Sequence, residues 1–183
     1  TEQHQRWQST EYVGSAACSK CHSDIAETYS AHPMAKTLTT TADKSRIEIT
    51  EGDTTQFEAE GRRYRVERQG DRMIHTEFMT DDAGELIYEQ EVDVQYAVGS
   101  GTNARTYLVD RGGIIFESPI TWYTEKRIWD LSPGYHDSPQ QRFNRRITDG
   151  CIQCHSGRPA PTGDGTAGRF EEQPFHELGI GCE

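Results

Sequence analysis

Cys18-Ser19-Lys20-Cys21-His22 recurs as Cys151-Ile152-Gln153-Cys154-His155, and these two stretches decide the fold expected of everything between and around them. A C-x-x-C-H unit sets two thiols about one helical turn apart with an imidazole beside the second. That spacing attaches a haem through two thioethers and offers a nitrogen to its iron. One copy is a moderately specific signal. Two copies, with no C-x-x-C lacking its histidine, make a strong one. Cys18, Cys21, Cys151 and Cys154 are therefore expected to carry covalently bound haem c, at least two groups per chain, with His22 and His155 as iron ligands. The same four sulfurs offer an alternative, a tetrahedral zinc site made of four thiolates. Zinc knuckles, however, need no histidine after each pair and usually lie closer together in sequence. A thioredoxin-like role for either pair lacks the βαβ setting it needs.

The composition bears on the same question. A chain of 183 residues suits one domain or two small ones. Only 33% of it is apolar, against about 45–50% in a typical globular chain, a figure that also counts glycine. Porphyrin would supply the missing buried apolar surface. With 19 Lys and Arg against 30 Asp and Glu, the formal charge of −11 argues against a nucleic-acid partner. It favours a redox partner protein with a basic docking surface. No apolar run approaches the ~18 residues of a transmembrane segment. The opening Thr1-Glu2-Gln3-His4-Gln5-Arg6 lacks the basic and then apolar pattern of a secretory signal. It is read as the start of a mature exported protein, on the periplasmic or extracellular side of a bacterial membrane. Five cysteines, four of them in C-x-x-C-H units, fit a disulfide framework poorly.

Beyond His22, Ser23 is expected to cap a short helix with Ile25 and Tyr29 on one face. Pro33 should end it near Ala31 by forcing His32 out of helical geometry. From about Arg46 to Ile120, strand-like segments alternate with turns such as Glu60-Gly61, Gly70-Asp71 and Asp110-Arg111-Gly112-Gly113. This predicts an antiparallel meander with one wet face, in which Tyr64/Val66, Leu86/Tyr88 and Tyr107/Val109 point inward. None of the glycine turns has the Lys-Ser/Thr ending of a phosphate loop. Trp122, Tyr123 and Trp129 read as core under the sheet or as packing for a haem edge. Arg142 to Asp149 is expected to form a short helix delivering the second unit, followed by a loop over 156–168. The expected class is α+β, with short helices and loops packed around covalent haems at both ends and the meander inserted between. Its parts are a first haem-binding segment at 1–45, the β insertion at 46–125, and a second haem-binding segment at 126–183 that forms one unit with the first.

The second axial ligand separates an electron carrier from a catalyst, because a closed iron shuttles electrons and an open one binds small molecules. His32, if the segment is mostly helical, lies ~15 Å beyond His22 at ~1.5 Å per residue. That is too far to face it across one iron, so His32 is expected to bind a different haem, with a surface role as the alternative. His136 and His176, in irregular segments near the haem units, are further metal candidates against the same alternative. His75, inside a strand pattern, and His4, in a polar terminus, read as non-ligands. Met34 is a lesser candidate that would raise the potential.

The run Tyr12-Val13-Gly14-Ser15-Ala16-Ala17 into the first unit, with Tyr29-Ser30-Ala31-His32-Pro33-Met34-Ala35 after it, resembles the multihaem c-type cytochromes with doubled C-x-x-C-H motifs. The nitrifier tetrahaem electron carrier belongs to that group. The resemblance implies that His32 is a distal ligand. Trp129-Asp130-Leu131-Ser132-Pro133-Gly134-Tyr135 and Phe143-Asn144-Arg145-Arg146-Ile147-Thr148 are similar to a bacterial branch with a β-rich insertion, often linked to tetratricopeptide repeats. In that pattern Leu178-Gly179-Ile180-Gly181-Cys182-Glu183 looks like the start of a third unit, with Cys182 contributing one thioether, so the chain is read as a piece of a longer cytochrome, with a true terminus bearing a free thiol as the lesser alternative.

The function expected from these residues is that of an exported multihaem c-type cytochrome passing electrons between haems and a docked protein, an electron-transfer protein rather than an enzyme. Two alternatives stand beside it. One is a multihaem reductase or oxidase of a small nitrogen or sulfur compound at an open haem. The other is a haem-stapled assembly module whose β insertion joins subunits of a larger complex or filament by edge pairing.

Overall fold

A computed structural model of the chain describes residues 13–43, 47–52, 55–137 and 141–182, so His4 and Arg46 lie outside the described residues. Four strands follow one another as a meander: β2 (Gln56–Ala59), β3 (Arg62–Gln69), β4 (Arg72–Thr80) and β5 (Leu86–Val94) pair in the order β2-β3-β4-β5. Turn chemistry sets the register. Glu60 and Gly61 both take positive φ (52° and 69°), which lets the chain reverse within two residues and brings Ala59 opposite Arg62. A second sheet runs β1 (Leu38–Thr40), β6 (Tyr96–Val98), β7 (Ala104–Asp110), β8 (Ile115–Tyr123), β10 (Arg145–Arg146). In it β9 (Ile128–Leu131) pairs with the far end of β8. β11 (Pro159–Pro161) and β12 (Phe170–Phe175) form a separate hairpin. Pairing is antiparallel throughout.

The α+β class does not hold. Strands make up 43% and helices 14%, and the α-helices among the described residues are short: α1 (Ser15–Cys18), α2 (Ser23–Ser30) and α3 (Asp149–Ile152). The terminal segments are drawn into the sheets instead of closing on themselves around cofactors. β1 hydrogen-bonds to β6 from the first segment, and β10 adds to β8 from the last. The stretch expected to be a helix from Arg142 to Asp149 is a 3-10 turn at Arg142–Asn144 followed by that short strand.

The six-stranded sheet buries both faces. One face, with Ala97, Tyr107, Ile120 and Trp122, packs on Tyr64, Val66, Met73 and Val94 of the meander, and Trp129, Leu131 and Tyr135 complete this core. The opposite face, with Leu38, Leu108 and Ile115, packs on Ile147, Ile152, Phe170 and Phe175 from the C-terminal segment. Tyr107 and Leu108 are adjacent and both buried, on opposite faces. β7 therefore has no wet face, contrary to the alternation expected of it, and its continuous run Tyr107-Leu108-Val109 is the pattern of a doubly covered strand. Leu86 is also corrected: it is 57% exposed on edge strand β5 and does not point inward. Trp122 and Trp129 pack with their rings tilted at 59° and centroids 5.2 Å apart inside the core between the sheets, as the core reading of them expects.

His75 is fully buried on β4, with Nδ1 2.8 Å from the Ser118 hydroxyl and its ring against Tyr107 and Trp129. Burial lowers its pKa to about 3 and keeps it neutral. It staples the two sheets together.

Candidate haem-attachment site

The first unit straddles the end of α1. The amides of Cys21 and His22 both donate to the Cys18 carbonyl, at 3.2 and 3.0 Å, so Cys18, Cys21 and His22 share one turn. α2 follows, starting at Ser23 with His22 in the cap position and no side-chain cap; the Ser23 hydroxyl turns to Asp24 instead. None of the α2 residues is buried, and Ile25 is 65% exposed. Ile25, Tyr29 and His32 line one cavity of about 440 Å³ together with Asp24 and Thr28.

The second unit begins on α3. Ile152, between its two thiols, is 2% exposed and held in the core behind the six-stranded sheet, whereas Cys151, Gln153 and Cys154 face outward. The His155 amide donates to the Ile152 carbonyl at 2.8 Å, which closes this turn. The Nδ1 atom of His155 is buried with no hydrogen-bond partner among the described residues. Partial burial also pulls its pKa below the ordinary imidazole value, which favours the neutral ring.

The two units meet. The Thr37 hydroxyl donates to the His155 carbonyl at 2.7 Å, and the Thr37 carbonyl accepts from the Gly99 amide at 2.7 Å, which ties both units to the end of β6. Residues 177–182 run between them. The Gly157 amide donates to the Gly179 carbonyl, Ile180 donates to the Met34 carbonyl at 3.0 Å, and the Tyr29 hydroxyl donates to the Ile180 carbonyl at 2.8 Å. This packing leaves no room for a side chain at Gly179: a Cβ there would lie 2.2 Å from the Ala35 oxygen, and its φ is 77°. The Cys182 amide donates to the Ser15 hydroxyl at 2.9 Å, and Cys182 lines a cavity of about 270 Å³ with Ala26, Tyr29 and Ser30 of α2.

The remaining histidines are spread out. His32 is exposed, its ring stacked on Tyr29 at 5.9 Å, and its Nδ1 accepts from the Met34 amide at 3.2 Å. His176 is exposed between β12 and Glu177, with its amide on the Arg158 carbonyl at 3.1 Å. His136 pairs with Glu60 at 3.1 Å on the β2–β3 turn of the meander, and no hydrogen bond joins it to either unit among the described residues. Ser15, Thr37, Glu177 and Gly179, which hold the units together, carry no motif by which the sequence would have marked them.

All five cysteines are free thiols. Among the described residues no three His, Cys, Asp or Glu side chains converge on a point that could hold a metal ion, so the four paired cysteines are not gathered into one tetrahedral site. A covalently attached haem asks less of the chain: two unpaired thiols and an imidazole on one turn. Each unit has these, and the unpartnered Nδ1 of His155 and the bare apolar face of α2 fit a group lying against them. No helix among the described residues is long and apolar enough to cross a membrane. No family model, no curated protein and no solved structure matches this chain.

Proposed function

We propose that this chain is part of an exported multihaem c-type cytochrome that carries electrons between its haems and a docked protein partner. The observation that carries this reading is the meeting of two C-x-x-C-H units, each with unpaired thiols, through Thr37 and His155 at one end of a β body. Cys18 and Cys21 would hold one haem with His22 as ligand, and Cys151 and Cys154 a second with His155. Cys182 would contribute a further thioether sulfur, and His32 and His176 are spare imidazoles in or beside these segments. Bound haem supplies a one-electron iron couple.

The chain's own contribution is mechanical and electrostatic. Ile152 anchors the second unit to the sheet, and residues 177–182 bind it to the first. Rigid backing of this kind keeps ligand geometry constant across a change of iron charge. The formal charge of −11 suits a partner with a basic surface, and the exported, periplasmic or extracellular, side is where the proposal locates the protein.

The test is a pyridine haemochrome assay on the purified chain with ferrous spectra taken with and without carbon monoxide. Two or more covalent haems, one fewer after either Cys21→Ser or Cys154→Ser, and spectra unmoved by carbon monoxide are the expected results. Absence of haem from protein matured in a haem-attaching host would overturn the proposal. A carbon monoxide shift would move it to an open-iron reductase or oxidase.

A further inference from the structure

We propose that Glu177 is a positioning residue for the haem of the first unit, holding α1 through Ser15 and lowering that haem's midpoint potential by its charge. This rests on the reading of Cys18 to His22 as a haem-attachment unit.

α1 is only four residues long, and a single turn of helix does not stand without outside support. Its free amides lack local partners: Gly14 sits at the cap position with no side chain to offer, and the first turn holds no acidic residue. The support comes from 162 residues away. Glu177 Oε1 accepts from the Ser15 amide at 2.6 Å, and Oε2 accepts from the Ser15 hydroxyl at 2.9 Å. That hydroxyl in turn accepts from the Cys182 amide at 2.9 Å. At its main chain Glu177 belongs to the other side of the junction, where its carbonyl accepts from the Ser156 hydroxyl at 3.2 Å, one residue past His155. One residue thus grips the first unit with its carboxylate and the second with its backbone.

The location of the charge follows from helix geometry. Ser15 and Cys18 are three residues apart, ~4.5 Å along the axis at ~1.5 Å per residue. The carboxylate sits beyond the Ser15 amide, at the N-terminal end of the helical turn that carries Cys18. Ferric iron carries one more positive charge than ferrous, so a fixed carboxylate nearby favours the oxidised form and lowers the potential. Glu177 is partly buried, so solvent and salt screen it less than they would a surface residue. A glutamate serving only as a structural tie could be replaced by glutamine, which keeps the length and one acceptor oxygen, without moving any potential.

The experiment compares full-length holoprotein of wild type, Glu177→Gln and Glu177→Asp by haemochrome count and spectroelectrochemical titration. Glu177→Gln is expected to keep the haem count and shift one haem to higher potential, the haem lost in Cys21→Ser. Glu177→Asp, which keeps the charge, should return that haem toward the wild-type value. Unmoved potentials in Glu177→Gln, or equal shifts in both variants, would overturn the inference. If Glu177→Gln does not accumulate, the neutral variant Glu177→Met carries the test: a rise in potential confined to the same haem supports the charge role, and unmoved potentials overturn it. Absence of covalent haem from wild type would instead sink the underlying assignment, an outcome separate from a haem that is present and insensitive to Glu177.

Discussion

Replacing Ile152 by alanine tests whether the second C-x-x-C-H unit is anchored by the sheet or only by what it binds. Ile152 is 2% exposed and shares a core with Leu38, Leu108, Ile115, Ile147, Phe170 and Phe175. The change deletes three buried carbons, worth ~2.4 kcal/mol at ~0.8 kcal/mol each, and a cavity term brings the expected loss to about 3 kcal/mol. With a urea slope of about 2–3 kcal/mol per molar, the unfolding midpoint should fall by about 1–1.5 M. Gln153→Ala is the control: the neighbouring side chain is exposed, so it should stay within ~0.5 kcal/mol of wild type. Both variants keep the thiols and His155, so haem count at the second unit serves as a check on attachment. Equal midpoints for the two variants, with haem retained, would refute the anchoring and mean that the cofactor alone orders this turn.

Three further outcomes are expected. His75 is neutral in the fold with a pKa near 3 but titrates near 6.5 in the unfolded chain. The unfolded state therefore holds the extra proton between those values, and stability falls as pH drops through that window and is restored above it. From pH 6.5 to 5 this amounts to about 2 kcal/mol; His75→Asn should lose that part of the slope in urea midpoints taken at pH 5 and 7, and an unchanged slope would count against it. Gly179→Ala should cost about 2 kcal/mol or more, because it places a Cβ against Ala35 in a left-handed conformation; limited proteolysis should then cut 177–182 faster, and equal rates would contradict the packing. Arg142 lies 2.5 Å from the fully buried Glu77, so Arg142→Ala should destabilise by about 3 kcal/mol and Glu77→Gln should recover part of it. Additive effects in the double mutant would show that the two are uncoupled.

That Cys18, Cys21 and His22 share one turn, and that Cys151 to His155 form another, was legible because each set sits in five consecutive residues, and most of the hairpin turns because glycine and aspartate mark them. The helix after His22 ends at Ser30, before Pro33, as the proline requires. What the sequence hid was contact between distant segments. Nothing local tells that Leu38 will pair with Val98, or that Arg145 will pair with Glu117, and those pairings turn the expected α+β ends into extensions of a sheet. The low apolar fraction misled in the same way. It suggested that haem must provide the core at the ends, whereas Phe170 and Phe175 close the far face of the sheet themselves. Glu177 was unreadable for a simpler reason: a carboxylate capping a helix 162 residues away leaves no trace in its own neighbourhood.

The β body also bears on where a partner can dock. β5 is an edge of the meander, and an open edge of nine residues would normally invite strand pairing. Along it, however, Glu89, Glu91 and Asp93 alternate, bridged back to Arg65 at 3.5 and 3.7 Å and to Arg72 at 2.7 Å. An added strand would have to lie beside these carboxylates, and like charges across a strand pair oppose it. Arg65 also covers the Phe78 ring at 5.5 Å, so Ile74, Thr76 and Phe78 are buried under a charged lattice, while the start of β5 exposes Leu86 and Ile87 by 57% and 63%. The acidic stretch of β5 from Glu89 to Asp93 is thus a poor place for edge pairing. The exposed apolar side chains near the two C-x-x-C-H turns, Val13, Ile25, Met34 and Leu178, belong to segments outside the sheets. They lie on or beside the first C-x-x-C-H turn and the 177–182 segment, so that end offers exposed apolar side chains without the row of carboxylates that lines β5.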